Sequence, residues 1–366
     1  MTTDIVIVGK GIAALVLATL LQRGGHDFVL LDRQAKVKAF DLAETLPPSA
    51  LPLLQNIGLL QLFQQHCIRK TNGYHSVWGS ERLKDHNFYF HRPFRHGLKV
   101  HKARLLEQLE KQGQFRTFTY KHLLEVQSTQ EGAQLTYQYK GKVRQLKAHV
   151  LIDATGRNRA LLKWLNISTL DYDTSCAFSV HLPRKRHPRI KHDVFVESFQ
   201  EGWGLISGLN EAQNILSIYT NAQSPIFRKA SAYPNWPNIL QNTQYLKYFL
   251  VEDPTIKVRG KKSNSSKPQQ IAGQNWLAVG DAALAFDPLS SHGISNALYT
   301  AMCADQLIPL HLQNPATNPF KEYAQSMEEI FRAYLKSKRM LYQSEGRWSD
   351  APFWENAREE SILAVG

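Results

Sequence analysis

Gly9-Lys10-Gly11-Ile12-Ala13-Ala14 is a GxGxxA turn, set between the β-branched run at residues 4–8 (DIVIV) and an apolar helical stretch at residues 12–22. A glycine at position 9 permits a tight turn, Gly11 lets a diphosphate approach the backbone, and Ala14 stands for the third glycine, small enough for helix-against-strand packing. The start of the helix offers unpaired N–H groups and a partial positive charge to phosphate oxygens. Asp32 closes the second apolar strand, 21 residues after Gly11, where its carboxylate can accept hydrogen bonds from ribose hydroxyls; Arg33 follows it. Gly9, Gly11, Ile12, Ala13, Ala14, Asp32 and Arg33 are therefore candidate dinucleotide ligands. On this motif alone FAD and NAD(P) fit equally.

Residues 276–298 (WLAVGDAALAFDPLSSHGISNAL) separate the two. Gly280 and Asp281 follow a buried strand, Pro288 sits in the next loop, and Gly293-Ile294 open a long helix, for which Ser290 and Ser291 are also suitable starting residues. This segment resembles the flavin-binding segment of the FAD-dependent monooxygenases of the p-hydroxybenzoate hydroxylase and flavin halogenase superfamily. The resemblance implies that Asp281 holds a ribityl hydroxyl, that Pro288 lies along the isoalloxazine, and that the helix opened by Gly293 points at the N1–C2=O2 edge. Reduced flavin carries negative charge there, and a helix N-terminus stabilises it by roughly 0.3–1 kcal/mol. His292, in the same loop, is the candidate catalytic proton carrier. Residues 100–109 resemble the family's Arg-bearing helix, which assigns Arg104 to the phosphates. Residues 150–165 resemble the segment that brings a glycine, here Gly156, beside the cofactor. Many aromatic hydroxylases carry Asp-Gly there, and this chain has Thr155-Gly156, a departure at a position tied to NAD(P)H.

These groups need a scaffold. Residues 4–8, 12–22 and 27–31 read as β-α-β. Helical periodicity returns at 48–65 and 103–112, with strands at 123–126, 134–139 and 150–152. From 174 to 220 the pattern is strand-like, pointing to a second, antiparallel sheet. Residues 275–279 return to a buried strand, 294–307 read as a long helix and 320–347 as an amphipathic helical tail. With the resemblance, the expected fold is α/β: a Rossmann-like FAD domain at 1–72, 99–172 and 270–320, an inserted, mainly antiparallel β substrate domain at 73–98 and 173–269, and a helical segment at 321–366.

Composition narrows the function classes. A 366-residue chain with 43% hydrophobic residues is globular in character, and its formal charge of +13 favours phosphates or acidic partners. The charge concentrates at Arg184, Lys185, Arg186, Arg189 and Lys191, and again at Arg259, Lys261, Lys262 and Lys267. No RNA-binding motif or zinc-finger spacing accompanies it, so nucleic acid is not an expected partner. Cys67, Cys176 and Cys303 form no CxxC, the N-terminus has no basic signal-like region, and no uncharged run reaches membrane-span length; a cytoplasmic protein is expected. His86, His91, His96 and His101 recur every five residues, which does not gather them on one helical face, and no metal is assigned to them.

Three phrases narrow the branch: Glu44-Thr45-Leu46-Pro47-Pro48, Ser76-Val77-Trp78-Gly79 and FDPLSSHG at 286–293. Together they look like flavoprotein maturases that install tryptophylquinone cofactors in amine and amino-acid oxidases. Halogenases carry a WxWxIP stretch and a nearby lysine. Here residues 202–207 read GWGLIS and no lysine lies within 76–79, which disfavours halogenation. The resemblance implies a flavin contact for Glu44, an aromatic substrate cavity lined by Trp78 and Trp203, reaction of reduced FAD with O2, NAD(P)H as a candidate electron donor, and a precursor oxidase polypeptide as partner. Alternatives are a small-molecule aromatic hydroxylase or prenyl reductase of the same fold, and an FAD-containing chaperone without turnover.

Overall fold

The computed structural model describes residues 1–34, 40, 42–129 and 132–363. The strand Thr2–Val8, buried along its apolar run, lies inside a sheet ordered Thr117–Tyr120, Phe28–Arg33, Thr2–Val8, Lys142–Asp153, Gly132–Tyr139, His122–Thr129. Trp276–Ala278 adds to the other side of Lys142–Asp153. Phe28–Arg33 and Lys142–Asp153 both run parallel to Thr2–Val8, and Trp276–Ala278 runs parallel to Lys142–Asp153. Parallel strands buried on both faces need continuous apolar sequence, which DIVIV and VLI at 150–152 supply.

The register decides where chemistry can happen. Val8 pairs with Asp153, and Asp153 with Ala278. Three segments remote in sequence therefore leave the sheet at one level, and the turns that follow them emerge side by side. In open α/β sheets that crevice, beyond the carboxyl ends of the strands, is where ligands bind.

The second sheet runs Arg259–Lys262, Cys176–Pro183, Gln213–Thr220, Gly202–Gly208, Val194–Phe199, Gly73–Val77, Lys84–Asn87. Every neighbouring pair is antiparallel except Val194–Phe199 with Gly73–Val77. A three-stranded antiparallel sheet, Ala43–Leu46, Gly97–His101 and Cys67–Thr71, completes the framework with the two-stranded Thr169–Asp171 and Ser266–Pro268. The periodic stretch at 48–65 is broken into Leu51–Asn56 and Leu60–Gln65, because Gly58 takes a left-handed φ of 66° that ends the first helix. The helix Phe320–Gln343 stops short of residue 347, and the chain returns through Pro352–Leu363. Among the described residues no helix is long and apolar enough to cross a membrane.

Candidate flavin site

The helix Ile12–Arg23 begins at Gly11, which supplies no side-chain cap, so among the described residues its first N–H groups are left open towards the crevice. A Cβ on Gly11 would meet nothing within 4 Å: the turn opens onto space. Gly9 is the reverse. At φ +115° a Cβ would lie 2.3 Å from the Ala154 carbonyl oxygen, so the turn and the 154–156 segment touch backbone to backbone. The Ala154 N–H donates to the Val8 carbonyl at 2.9 Å, fixing that approach. Gly280, at φ +60°, closes the triangle: its missing Cβ would lie 2.9 Å from the Ala13 Cβ, and its N–H donates to Thr300 Oγ1 at 2.8 Å. The Gly-rich turn and the Gly280-Asp281 turn are thus in direct contact.

Charged groups line the opening. Asp281 Oδ2 lies 3.6 Å from Arg157 Nε, and Lys102 Nζ lies 3.2 Å from Glu44 Oε1. Removal from bulk water raises the Asp281 carboxyl above its usual range, while Arg157 and Lys102 oppose that rise; its side chain keeps 37% exposure, that of a group on the floor of an open cleft. Glu44 holds Lys102 above its ordinary value. Asp32, half-buried, accepts the Arg33 N–H at 2.9 Å; desolvation raises it and Lys10 opposes. Arg33 and Arg104 are exposed, Arg104 on a helix, Lys102–Gly113, tied to the Gly-rich turn by the Lys10–Glu110 pair at 2.6 Å. A Cβ on Gly156 would also meet open space. Two glycines opening onto free volume, one uncapped helix start and acids placed for hydroxyls fit a flavin dinucleotide.

Sequence reasoning passed over two cationic residues. Arg159 is 1% exposed and left-handed at φ 47°; Nε donates to the Ala282 carbonyl at 3.0 Å, and Nη2 donates to the carbonyls of Ser266 at 2.9 Å and Asp281 at 3.3 Å. It pins the turn that presents Asp281. Desolvation lowers its pKa to about 10, so the cation persists near neutrality. Nothing in the spacing marks an arginine for burial. Lys99 is fully buried where the small sheet meets the second sheet; its Nζ donates to Thr45 Oγ1 at 3.0 Å and to Ser207 Oγ. Burial pulls it down to about 7.

The loop before Gly293 is held from behind. Asp287 is 2% exposed; Oδ1 accepts the Leu289 N–H at 2.8 Å and Oδ2 the Tyr342 hydroxyl at 2.9 Å, while its own N–H donates to Tyr334 Oη at 2.7 Å. Pro288 opens the 3-10 turn Pro288–Ser290. Gly293 starts the helix Gly293–Gln313 with no side-chain cap, and Ile294 anchors it in the core. The His292 ring keeps solvent access, and desolvation by its surroundings lowers its pKa. It borders an apolar cavity of about 600 Å³ walled by Leu53, Phe286, Leu289, Tyr299 and Ile330, with Lys338 and Tyr342 among its polar groups.

Trp78 and Trp203 are not among the residues that line that cavity. Trp203 is fully buried, stacked on Tyr219 at 3.8 Å, with Nε1 donating to Tyr342 Oη at 3.0 Å. Trp78 packs edge-on to Trp203 and Trp354, and its Nε1 donates to the Leu341 carbonyl at 3.0 Å. Both serve as packing that seats the C-terminal helices on the second sheet; their indole N–H groups found partners within the core.

Comparison with known proteins follows the same lines. The chain is similar to LodB of Marinomonas mediterranea, named as an FAD-dependent oxidoreductase, at 23% identity over 98% of both chains. It shares its fold with the peptidyl tryptophan dihydroxylase QhpG, essential for tryptophylquinone cofactor biogenesis, at TM-score 0.76 and 20% identity, covering 98% of this chain and 79% of that one. It likewise shares it with CmlS, a flavin-dependent halogenase, at TM-score 0.82 and 19% identity, covering 100% and 70%. Residues 2–302, the span that contains both glycine turns, match the FAD binding domain family, and the chain belongs to that family as an FAD-dependent oxidoreductase.

Proposed function

We propose that this protein is a monooxygenase that hydroxylates a tryptophan of a precursor polypeptide during maturation of a quinone cofactor in an oxidase. The observation that carries the reading is the pairing of a full-length likeness to LodB with a shared fold to a peptidyl tryptophan dihydroxylase, over a site whose loop and turns fit FAD. Bound FAD, once reduced by a donor of the NAD(P)H class, supplies the electrons by which one atom of O2 enters an indole ring and the other leaves as water.

The chain's own residues supply placement and charge. Amides of Ile12 and Ala13 would hold the diphosphate, Asp32 the ribose and Asp281 the ribityl chain, with Arg104 at the phosphates. The amides of Gly293 and Ile294, at the start of a helix, would stabilise negative charge on the reduced flavin. His292, with its pKa held down, is a neutral base near pH 7, suited to taking the proton that leaves the indole carbon. The apolar cavity beside His292 has the volume and lining of a site for an aromatic side chain. The basic loop carrying Arg186, Arg189 and Lys191 suits an acidic partner surface, adding orientation and on-rate.

The test is reconstitution. The FAD-loaded protein, NADH or NADPH, O2 and an unmodified precursor of a tryptophylquinone-dependent oxidase are combined, and the precursor is digested for mass spectrometry. The expected result is added oxygen on one tryptophan, carrying isotope from heavy O2. Donor oxidation stimulated by free aromatics or isoprenoids, with the precursor unmodified, would move the assignment to a small-molecule oxidoreductase.

A further inference from the structure

We propose that His75, Asp85 and His192 form a binding site for one divalent transition-metal ion of the zinc class, on the outer part of the second sheet and independent of the flavin. The three residues come from three segments: the strand Gly73–Val77, the strand Lys84–Asn87 and the turn preceding Val194–Phe199. The sheet itself brings them together. His75 and Asp85 are register partners in the antiparallel pair, and His75 is also the register partner of Phe195, three residues after His192.

Their ligand atoms all lie within 4.8 Å of one another, and His192 Nε2 is 2.9 Å from Asp85 Oδ1. An ion with donors at about 2.0–2.2 Å in tetrahedral array needs those donors about 3.3–3.6 Å apart, a shift of at most about 1.5 Å from this arrangement. Two imidazoles and one carboxylate match the borderline character of zinc and its first-row neighbours.

A second observation points the same way. His75 is 4% exposed, and its Nδ1 is buried with no hydrogen-bond partner, an orphan polar atom that a native fold ordinarily satisfies. Its ring lies 4.6 Å from that of His192. Asp85 and His192 are the more accessible ligands, so an ion has a route in from solvent.

The ion would tie the loop at 184–193 to the 73–87 hairpin. That loop is already braced at one end, where Arg184 Nη2 and Arg69 Nε both reach Asp193, at 2.5 and 3.2 Å. The metal would brace it from His192 and fix the presentation of Arg186, Arg189 and Lys191. Three protein ligands leave one position for water or for a carboxylate of a docking partner.

The test uses tag-free, FAD-loaded protein stripped with a chelator. Co²⁺ is titrated while its visible ligand-field absorption is followed, and Zn²⁺ affinity is measured by competition with a chromophoric chelator. One Co²⁺ per chain with a tetrahedral-type band is expected. Asp85→Asn and His192→Gln, both at accessible positions, should weaken Zn²⁺ binding at least ~tenfold while FAD content stays unchanged. His91→Gln, an exposed histidine elsewhere, should leave affinity alone. Binding that survives both ligand substitutions, or falls equally in the His91 variant, overturns the site, as does a stoichiometry far below one.

Discussion

Lys99 offers the sharpest quantitative test of how the two sheets meet. Its ammonium is buried with hydroxyl partners, Thr45 and Ser207, and among the described residues no carboxylate lies within ion-pair distance. A fall from the ordinary 10.5 to about 7 is worth about 5 kcal/mol between the two protonation states. The sign follows from linkage. Between pH 7 and 10.5 the unfolded chain holds a proton that the folded chain has released, so stability from this group rises with pH across that window and its cost is full below pH 7. Lys99→Met removes the charge cost but forfeits two hydrogen bonds, each worth about 0.5–1.5 kcal/mol. The variant should therefore be about 2–4 kcal/mol more stable than the wild type at pH 6, and about 1–3 kcal/mol less stable above pH 10.5. Urea denaturation midpoints, measured at fixed saturating FAD from pH 6 to 10.5, give the difference directly. A difference that stays flat over that range would refute the buried-cation argument, and one that grows in the variant's favour with rising pH would reverse its sign.

Other substitutions probe the flavin clamp. Gly9→Ala and Gly11→Ala should part company: the first forces a Cβ into the Ala154 carbonyl at positive φ and lowers folded yield, whereas the second folds normally, since its Cβ meets open space, and loses FAD affinity only. Thermal melts beside flavin stoichiometry distinguish them, and equal melting losses would contradict the assignment of Gly11 to the diphosphate. Asp281→Asn should cost about 1.5–3 kcal/mol in FAD binding, or roughly 10- to 150-fold in Kd, measured by flavin fluorescence quenching. Tyr342→Phe deletes the hydroxyl between Asp287 and Trp203 Nε1. It should destabilise the fold by about 1–3 kcal/mol in chemical denaturation, because two buried groups lose a partner.

Much of this framework was legible in the chain. Alternating and continuous apolar runs mark strands such as DIVIV and the 215–220 segment, since burial on one face or two leaves a pattern, and the glycine turns declare themselves because few residues other than glycine allow φ +115° or a diphosphate against the backbone. What stayed hidden depends on contacts between remote segments. Arg159 looks like any surface arginine until the 282 and 266 carbonyls converge on it. Lys99 sits in a strand whose neighbours give no sign of a lysine pointing inward. An aromatic residue in the second sheet carries the same sequence signature whether it faces a ligand or packs in the core, as Trp78 does on Trp354 and Trp203 on Tyr219. His75, Asp85 and His192 are invisible as a set, because strand pairing rather than spacing assembles them.

The contact of Gly280 with Ala13 joins two stretches of chain about 270 residues apart in sequence, which we propose hold one flavin dinucleotide between them. A crystal structure of the FAD complex tests this most directly. It should show diphosphate oxygens on the Ile12 and Ala13 amides and a ribityl hydroxyl on the Asp281 carboxylate of the same chain. Density for FAD that leaves either the first turn or Asp281 without a contact would contradict it.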